Sequence, residues 1–136
     1  MGKVVEKIKL KNLFEPEKSV EVDAVIDTGA TMLVLPQDIV EKLGLQKVDE
    51  RRVRYANNQI QIKPIYRGVI LELKGREGIF DVLCEVKVAE PLVGQIVLET
   101  LDLIVDPITK TVKPNPKSPD MPTAEILCKE SKGGGL

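Results

Sequence analysis

The segment from Ser19 to Pro36 restricts the fold of this chain more than any other. Val20, Val22, Ala24 and Ile26 alternate with Ser19, Glu21, Asp23 and Val25, the period-two pattern of a β-strand. The alternation runs directly into Asp27-Thr28-Gly29-Ala30-Thr31, and the apolar run Met32-Leu33-Val34-Leu35 follows at once and stops at Pro36. The Asp-Thr-Gly segment is therefore expected as a loop between two buried strands. An aspartate between Ile26 and Leu33 sits where desolvation penalises its charged form. Thr28 supplies a hydroxyl that can lock the loop, and Gly29 lets backbone approach where a side chain would intrude. Those properties suit an acid held rigidly at a cleft floor. The same tripeptide also suits a tight Asx-turn in which the aspartate only satisfies backbone N–H groups, and the residues alone leave both readings open.

The rest of the chain reads mostly as β. Lys3 to Leu10, with Val5, Ile8 and Leu10 among lysines, is expected as a surface or edge strand, and Phe14 to Ser19 carries turn chemistry. Ile39, Val40 and Leu43 share one face of a short helix that opens at Pro36-Gln37-Asp38 and ends at Gly44. Val48 to Gly75 is strand-like, interrupted at Ala56-Asn57-Asn58, where asparagine tolerates positive φ and marks a hairpin tip. A second hairpin is expected from Gly68–Leu73 and Ile79–Val88 about a turn at Gly75 to Gly78, then a second short helix over Ile96 to Leu101. Leu103 to Val105 and Thr109 to Val112 would close the domain around Asp106-Pro107. After Val112 the Pro-rich composition cannot sit in a sheet, and the expected division is a domain over 1–113 and a Pro/Gly-rich tail over 114–136. Within that tail Ile126-Leu127-Cys128 is apolar enough to dock, whereas Ser131 to Leu136 should be disordered.

Composition narrows the chemistry. The 136 residues include no histidine, which excludes Ser-His-Asp and Cys-His hydrolases and histidine-ligated zinc, and turns acid/base chemistry toward Asp or Glu. Twenty basic against 21 acidic residues and 3% aromatics offer neither a phosphate-binding face nor a stacking platform, so nucleic acid is not an expected partner. No apolar run approaches the roughly 18 residues of a membrane span. Cys84 and Cys128, without C-x-x-C spacing, are expected as free thiols of a cytoplasmic protein. Arg51, Arg52 and Arg54 read as a solvated strand face, and Asp102 and Asp106, which lack a following Thr-Gly, as helix-end or turn residues.

The segment VIDTGATMLVLP resembles the active-site loop of the retropepsin-like aspartic proteases. The likeness continues in order through residues 3 to 113: a hairpin tip at Tyr55-Ala56-Asn57-Asn58-Gln59 where the family places its flap, a long hairpin from Gly68, then Leu92-Val93-Gly94 and a short helix from Gln95 to Leu101. Four elements in order are far more specific than Asp-Thr-Gly alone. The resemblance implies a mostly β fold, a closed β-barrel equivalent to half of an acid protease, with two short helices. It implies Asp27 as the catalytic carboxylate, Thr28, Gly29 and Ala30 as its loop, Ala56 to Gln59 as a substrate-covering flap, and Gly94 as a packing residue beneath the loop. No metal or organic cofactor is implied.

The chemistry needs two carboxylates sharing a proton, because two close like charges cannot both ionise. This chain has one Asp-Thr-Gly, so the resemblance implies a homodimer with one Asp27 from each subunit, acting on a peptide or protein substrate. Three departures stand out. Gln95-Ile96 replaces the Arg-Asn/Asp of retroviral members, Thr31 replaces their aspartate, and the flap lacks their glycine run. They leave room for a second reading, a retropepsin-like binding or dimerisation module with weak or absent proteolysis.

Overall fold

The structure is a computed structural model and describes residues 3–128. β1 (Val4–Asn12) pairs antiparallel with β2 (Ser19–Ile26), setting Ile8 opposite Val22 and Leu10 opposite Val20. After the Asp27 loop come β3 (Leu33–Leu35) and α1 (Gln37–Lys42), with Gly44 at φ +62° just beyond the helix end. β4 (Gln46–Arg54) and β5 (Ile60–Leu73) form the long hairpin, and β6 (Arg76–Cys84) returns along β5. β7 (Leu92–Val93), α2 (Gln95–Leu101), β8 (Leu103–Asp106) and β9 (Thr111–Pro114) complete the order.

The main sheet runs β1-β2-β7-β3-β6-β5-β4, and a further pairing of β1 with β5 closes it into a ring with β4 hanging outside on β5. The mostly β, closed architecture with two short helices is therefore present. Branched and leucine side chains fill the ring: Ile8, Leu10, Leu33, Leu35, Leu71 and Val82 are within 1% of complete burial. Ile39 and Val40 of α1, Leu43 just after it, and Val97, Leu98 and Leu101 of α2 seal that core.

Three local expectations change. Lys113 and Pro114, expected outside any sheet, end β9 opposite Ile104 and Leu103, in a two-stranded ladder whose strands are both edges and so tolerate a proline. β1 is not an edge strand, since β2 and β5 flank it on both sides. Its Lys7 and Lys9 point to the outer face of the ring while Ile8 and Leu10 point inward, and lysines on an outer face look in sequence like lysines at a rim. The β5–β6 turn is tighter than the stretch from Gly75 to Gly78. Lys74 (φ +52°) and Gly75 (φ +78°) make it alone, the backbone of a type I′ hairpin. Gly78 lies inside β6 opposite Leu71, where a Cβ would stand 2.9 Å from the Phe80 ring, so this glycine answers to packing rather than to a turn.

At the far end of the molecule Asp102 takes the left-handed C-cap position of α2, and Asp106 Oδ1 accepts from the N–H groups of Ile108 and Thr109 to open the β8–β9 turn. Arg76, 7% exposed, donates to the carbonyls of Leu101 at 3.0 Å, Asp102 at 2.9 Å and Ser118. Asn115 Nδ2 and the Thr123 N–H bond the Asp102 carboxylate, so the segment 115–123 lies on the end of α2 with Ser118 buried. Ile126 and Leu127 are exposed rather than docked. The disorder expected for Ser131 to Leu136 lies outside the described residues. Arg76→Met keeps the aliphatic stem and removes the donors of three carbonyls, and is expected to cost about 3 kcal/mol. Urea titration would register a lower midpoint at unchanged slope, and an unchanged midpoint would refute this role.

Candidate active site

Asp27 stands where β2 leaves the sheet. Its backbone N–H is fixed to Val93 O at 2.9 Å, an extension of the parallel β2–β7 pairing. Its side chain makes an Asx-turn: Oδ1 accepts the Gly29 N–H at 2.9 Å, and Asp27 O accepts the Ala30 N–H at 3.1 Å. A Cβ on Gly29 would come 3.2 Å from that carboxylate oxygen, so glycine lets the acid fold back on its own loop. The two sequence readings are thus compatible, since the turn that satisfies backbone is also what orients the carboxylate. Asp27 is half-buried, with Thr28 and Gly29 exposed and Ala30 half-buried. The sequence leads one to expect a desolvated cleft floor; in the structure the loop is instead partly open to solvent, its aspartate half-buried.

Gly94 clamps the loop from below. A Cβ there would lie 2.3 Å from Met32 O, 2.7 Å from Ala30 O and 2.9 Å from the Thr31 carbonyl carbon. The first amides of α2 hold the same carbonyls, Gln95 N–H on Ala30 O at 2.8 Å and Ile96 N–H on Thr31 O at 2.9 Å. Main-chain donors that a helix start leaves free thus make polar contact with the loop where the side chains of Gln95-Ile96 depart from the retroviral pattern. Beside this junction is an open concavity of about 430 Å³ lined by Thr28 to Thr31, Gln95, Ile96 and Glu99.

The hairpin tip closes through the Tyr55 N–H to Gln59 O, the Asn58 N–H to Tyr55 O and the Gln59 N–H to Asn57 Oδ1, with Asn58 at φ +66°. Ala56, Asn57, Asn58 and Gln59 are all exposed. Behind the tip the hairpin leans on the active-site side of the ring. Val53 packs with Met32, Val88 and Leu92 around Val34, Ile65 and Leu83, and Arg51 Nη1 reaches Met32 Sδ at 3.5 Å. The fold therefore brings Asp27 to Ala30 together with Gly94, and sets the β4 segment from Arg51 to Val53 beside Met32 at the end of the loop, while Ala56 to Gln59 make the tip's own turn.

Sequence reasoning missed a buried polar group just behind the hairpin tip. Glu85, 4% exposed, receives the Tyr55 hydroxyl, lies 3.2 Å from Lys63 Nζ, and accepts the Lys87 N–H at 3.2 Å. Lys87 Nζ in turn sits 5.0 Å from the centre of the Tyr55 ring. Thirty residues separate Tyr55 from Glu85, and no local pattern links them. Burial opposes the charge of Glu85, yet the Tyr55, Lys87 and Lys63 donors outweigh it and hold the carboxyl below the usual range. Burial and the adjacent carboxylate push the Tyr55 hydroxyl up to about 12, and burial foremost raises the Cys84 thiol. A folded carboxyl depressed below its unfolded value contributes in full above the unfolded range and loses that contribution as pH falls through its folded value. Thermal midpoints should therefore drop on acidification below about pH 4, and drop less steeply in Glu85→Gln. Parallel profiles for the two proteins would show that Glu85 carries none of the acid sensitivity.

Residues 18–100 match the family described as "gag-polyprotein putative aspartyl protease". The chain belongs to this retropepsin-like family. The matched span takes in the Asp27 loop, the hairpin, Gly94 and most of α2. Among curated proteins, this family member is similar to "Antitoxin VapB40" of Mycobacterium tuberculosis (strain ATCC 25618 / H37Rv) and to "Uncharacterized protein Mb2626" of Mycobacterium bovis. Each is 38% identical over 73 residues, which cover 54% of this chain and 86% of theirs. No helix among the described residues is long and apolar enough to cross a membrane.

Proposed function

We propose that the chain is an aspartic endopeptidase that works as a homodimer, hydrolysing peptide bonds with one Asp27 from each protomer. The observation that carries this reading is a single Asp-Thr-Gly loop on a retropepsin-like frame, its aspartate oriented but only half covered, next to an open concavity. In the joined site one carboxylate takes a proton from water while its protonated partner donates to the scissile carbonyl, and the proton later passes to the leaving amine. Thr28, exposed in the single chain, braces the loop across the dimer interface, Gly29 leaves room for substrate backbone, and Gly94 packs against the loop. Ala56 to Gln59 act as the flap, closing over an extended peptide that pairs with it as an added strand. Residues 1–113 make up the working domain, and the tail over 114–136 is held against it through residues 115–123. The free thiols of Cys84 and Cys128 support a cytoplasmic setting.

A second reading has its own support. The relatives named antitoxin, together with Gln95-Ile96 in place of the retroviral side chains, favour a binding or dimerisation module with weak or no proteolysis. Incubating a denatured protein library with the full chain between about pH 4 and 7 separates the two, because an acid pair sharing one proton works in that window. Sedimentation at tens of micromolar supplies the companion result: a strict monomer would rule out a shared site.

A further inference from the structure

The buried group behind the hairpin tip touches none of the proposed reacting atoms, yet it joins two parts of the site that are distant in sequence. Glu85 has its backbone N–H on Leu35 O at 3.1 Å, the last residue of β3, and β3 is the strand into which the Asp27 loop runs. Its side chain reaches forward to Tyr55, the residue whose N–H and C=O close the hairpin tip. Lys63 neutralises the carboxylate from β5, the other arm of the same hairpin, and Lys87 covers the Tyr55 ring from the loop that leads to β7. Ala56 to Gln59 at the tip are exposed, and β4 carries a half-buried residue only at Val53. A hairpin so little buried would sway on its ladder if nothing pinned its far end.

We propose that Tyr55, Glu85 and Lys63 form a latch that sets the height of the β4–β5 hairpin over the Asp27 loop. They are positioning residues. Glu85 supplies a fixed post because its main chain is bonded to β3, and Tyr55 is the movable member because one hydroxyl hydrogen bond connects it to that post. Released, the tip swings away from the loop; engaged, it stands ready to cover an extended chain. Calling the hairpin a flap rests on the peptidase reading above, whereas the latch is a statement about hairpin motion that can be measured without any substrate.

Tyr55→Phe is the sharp test, since it keeps the ring under Lys87 and leaves the Glu85–Lys63 pair intact. Amide exchange followed by mass spectrometry on the full chain should show the Tyr55, Asn58 and Gln59 amides exchanging about tenfold faster than in the wild type, with β1 and β2 unchanged. Glu85→Gln should loosen the same amides, because its amide still takes the Tyr55 hydroxyl but loses the Lys63 ion pair. Tip exchange within twofold of wild type in both variants would overturn the proposal. So would an increase spread evenly over the ring, which would mark a purely structural role. If peptides are cleaved, Tyr55→Phe should raise KM several-fold with kcat little changed, the mark of a covering element set loose. If neither protein cleaves any peptide, the peptidase reading fails while the exchange result still decides the latch.

Discussion

Asp27→Asn is expected to lower peptide cleavage by about 10³-fold or more, the scale on which a lost acid/base group acts. Asparagine keeps the shape of the side chain, and its Oδ1 can still accept the Gly29 N–H that defines the Asx-turn. The loop should therefore hold its conformation, and the thermal midpoint should move by no more than about 0.5 kcal/mol equivalent, as for a surface exchange. What disappears is the ability to take up or release a proton. In a homodimer the single substitution removes both carboxylates, so no residual pair remains to share one. Cleavage of a peptide library, read beside the sedimentation profile, checks this directly. Wild type and variant equally inactive, both dimeric, would sink the peptidase reading and leave the binding module in its place.

Gly94→Ala should be among the most damaging single methyl groups that can be added to this chain. The reason is space and not conformation, since Gly94 has φ −89°, which any residue can adopt. The added Cβ would stand 2.3 Å from Met32 O and 2.7 Å from Ala30 O, and both obstacles are main chain that no rotamer change can move aside. Relief requires α2 to back away from the loop, which stretches the Gln95 N–H to Ala30 O and Ile96 N–H to Thr31 O hydrogen bonds and opens a gap beside Val93 and Val97. A cost of about 4 kcal/mol follows, at the upper end for overpacking, against a total stability of roughly 5–15 kcal/mol for an ordinary domain. Urea unfolding measures the loss, and amide exchange at Gln95 and Ile96 locates it. A variant as stable as the wild type would mean that the loop and helix are not clamped together as described.

Both expectations concern a junction that was half legible in the chain. The Val20 to Ile26 alternation, the Asp-Thr-Gly break and the Leu33 to Leu35 run fall where β2, the loop and β3 lie, because period-two burial is a local property and a polar break in it marks a strand end. Leu92-Val93-Gly94 was legible by its likeness to a known element, but the reason for its glycine was not, since Ala30, Thr31 and Met32 come to it from more than sixty residues away. Gly78 was misjudged for the same cause: glycine in a strand and glycine in a turn are spelled alike, and only the Phe80 ring and Leu101 side chain beside it tell them apart. The lysines of β1 misled because a ring has an outer face but hides its edges.

The amino-acid sequence by itself determined the chemistry available and the order of the parts. Without histidine, any acid/base work falls to carboxylates, and on the peptidase reading a lone Asp-Thr-Gly supplies one of the two that the chemistry needs. Strand alternation, hairpin tips and two short helices follow from residues near one another in the chain, where propensity and periodicity act. The tertiary structure alone decided the closure of β1 onto β5, the clamp of Gly94 on the Asp27 loop and the seating of residues 115–123 on Arg76. It also decided the burial of Glu85 between Tyr55 and Lys63. Each of these joins groups far apart in sequence through a contact whose energy depends on being shut off from water. Such contacts leave no local period to read, because burial is conferred by whatever the fold brings alongside.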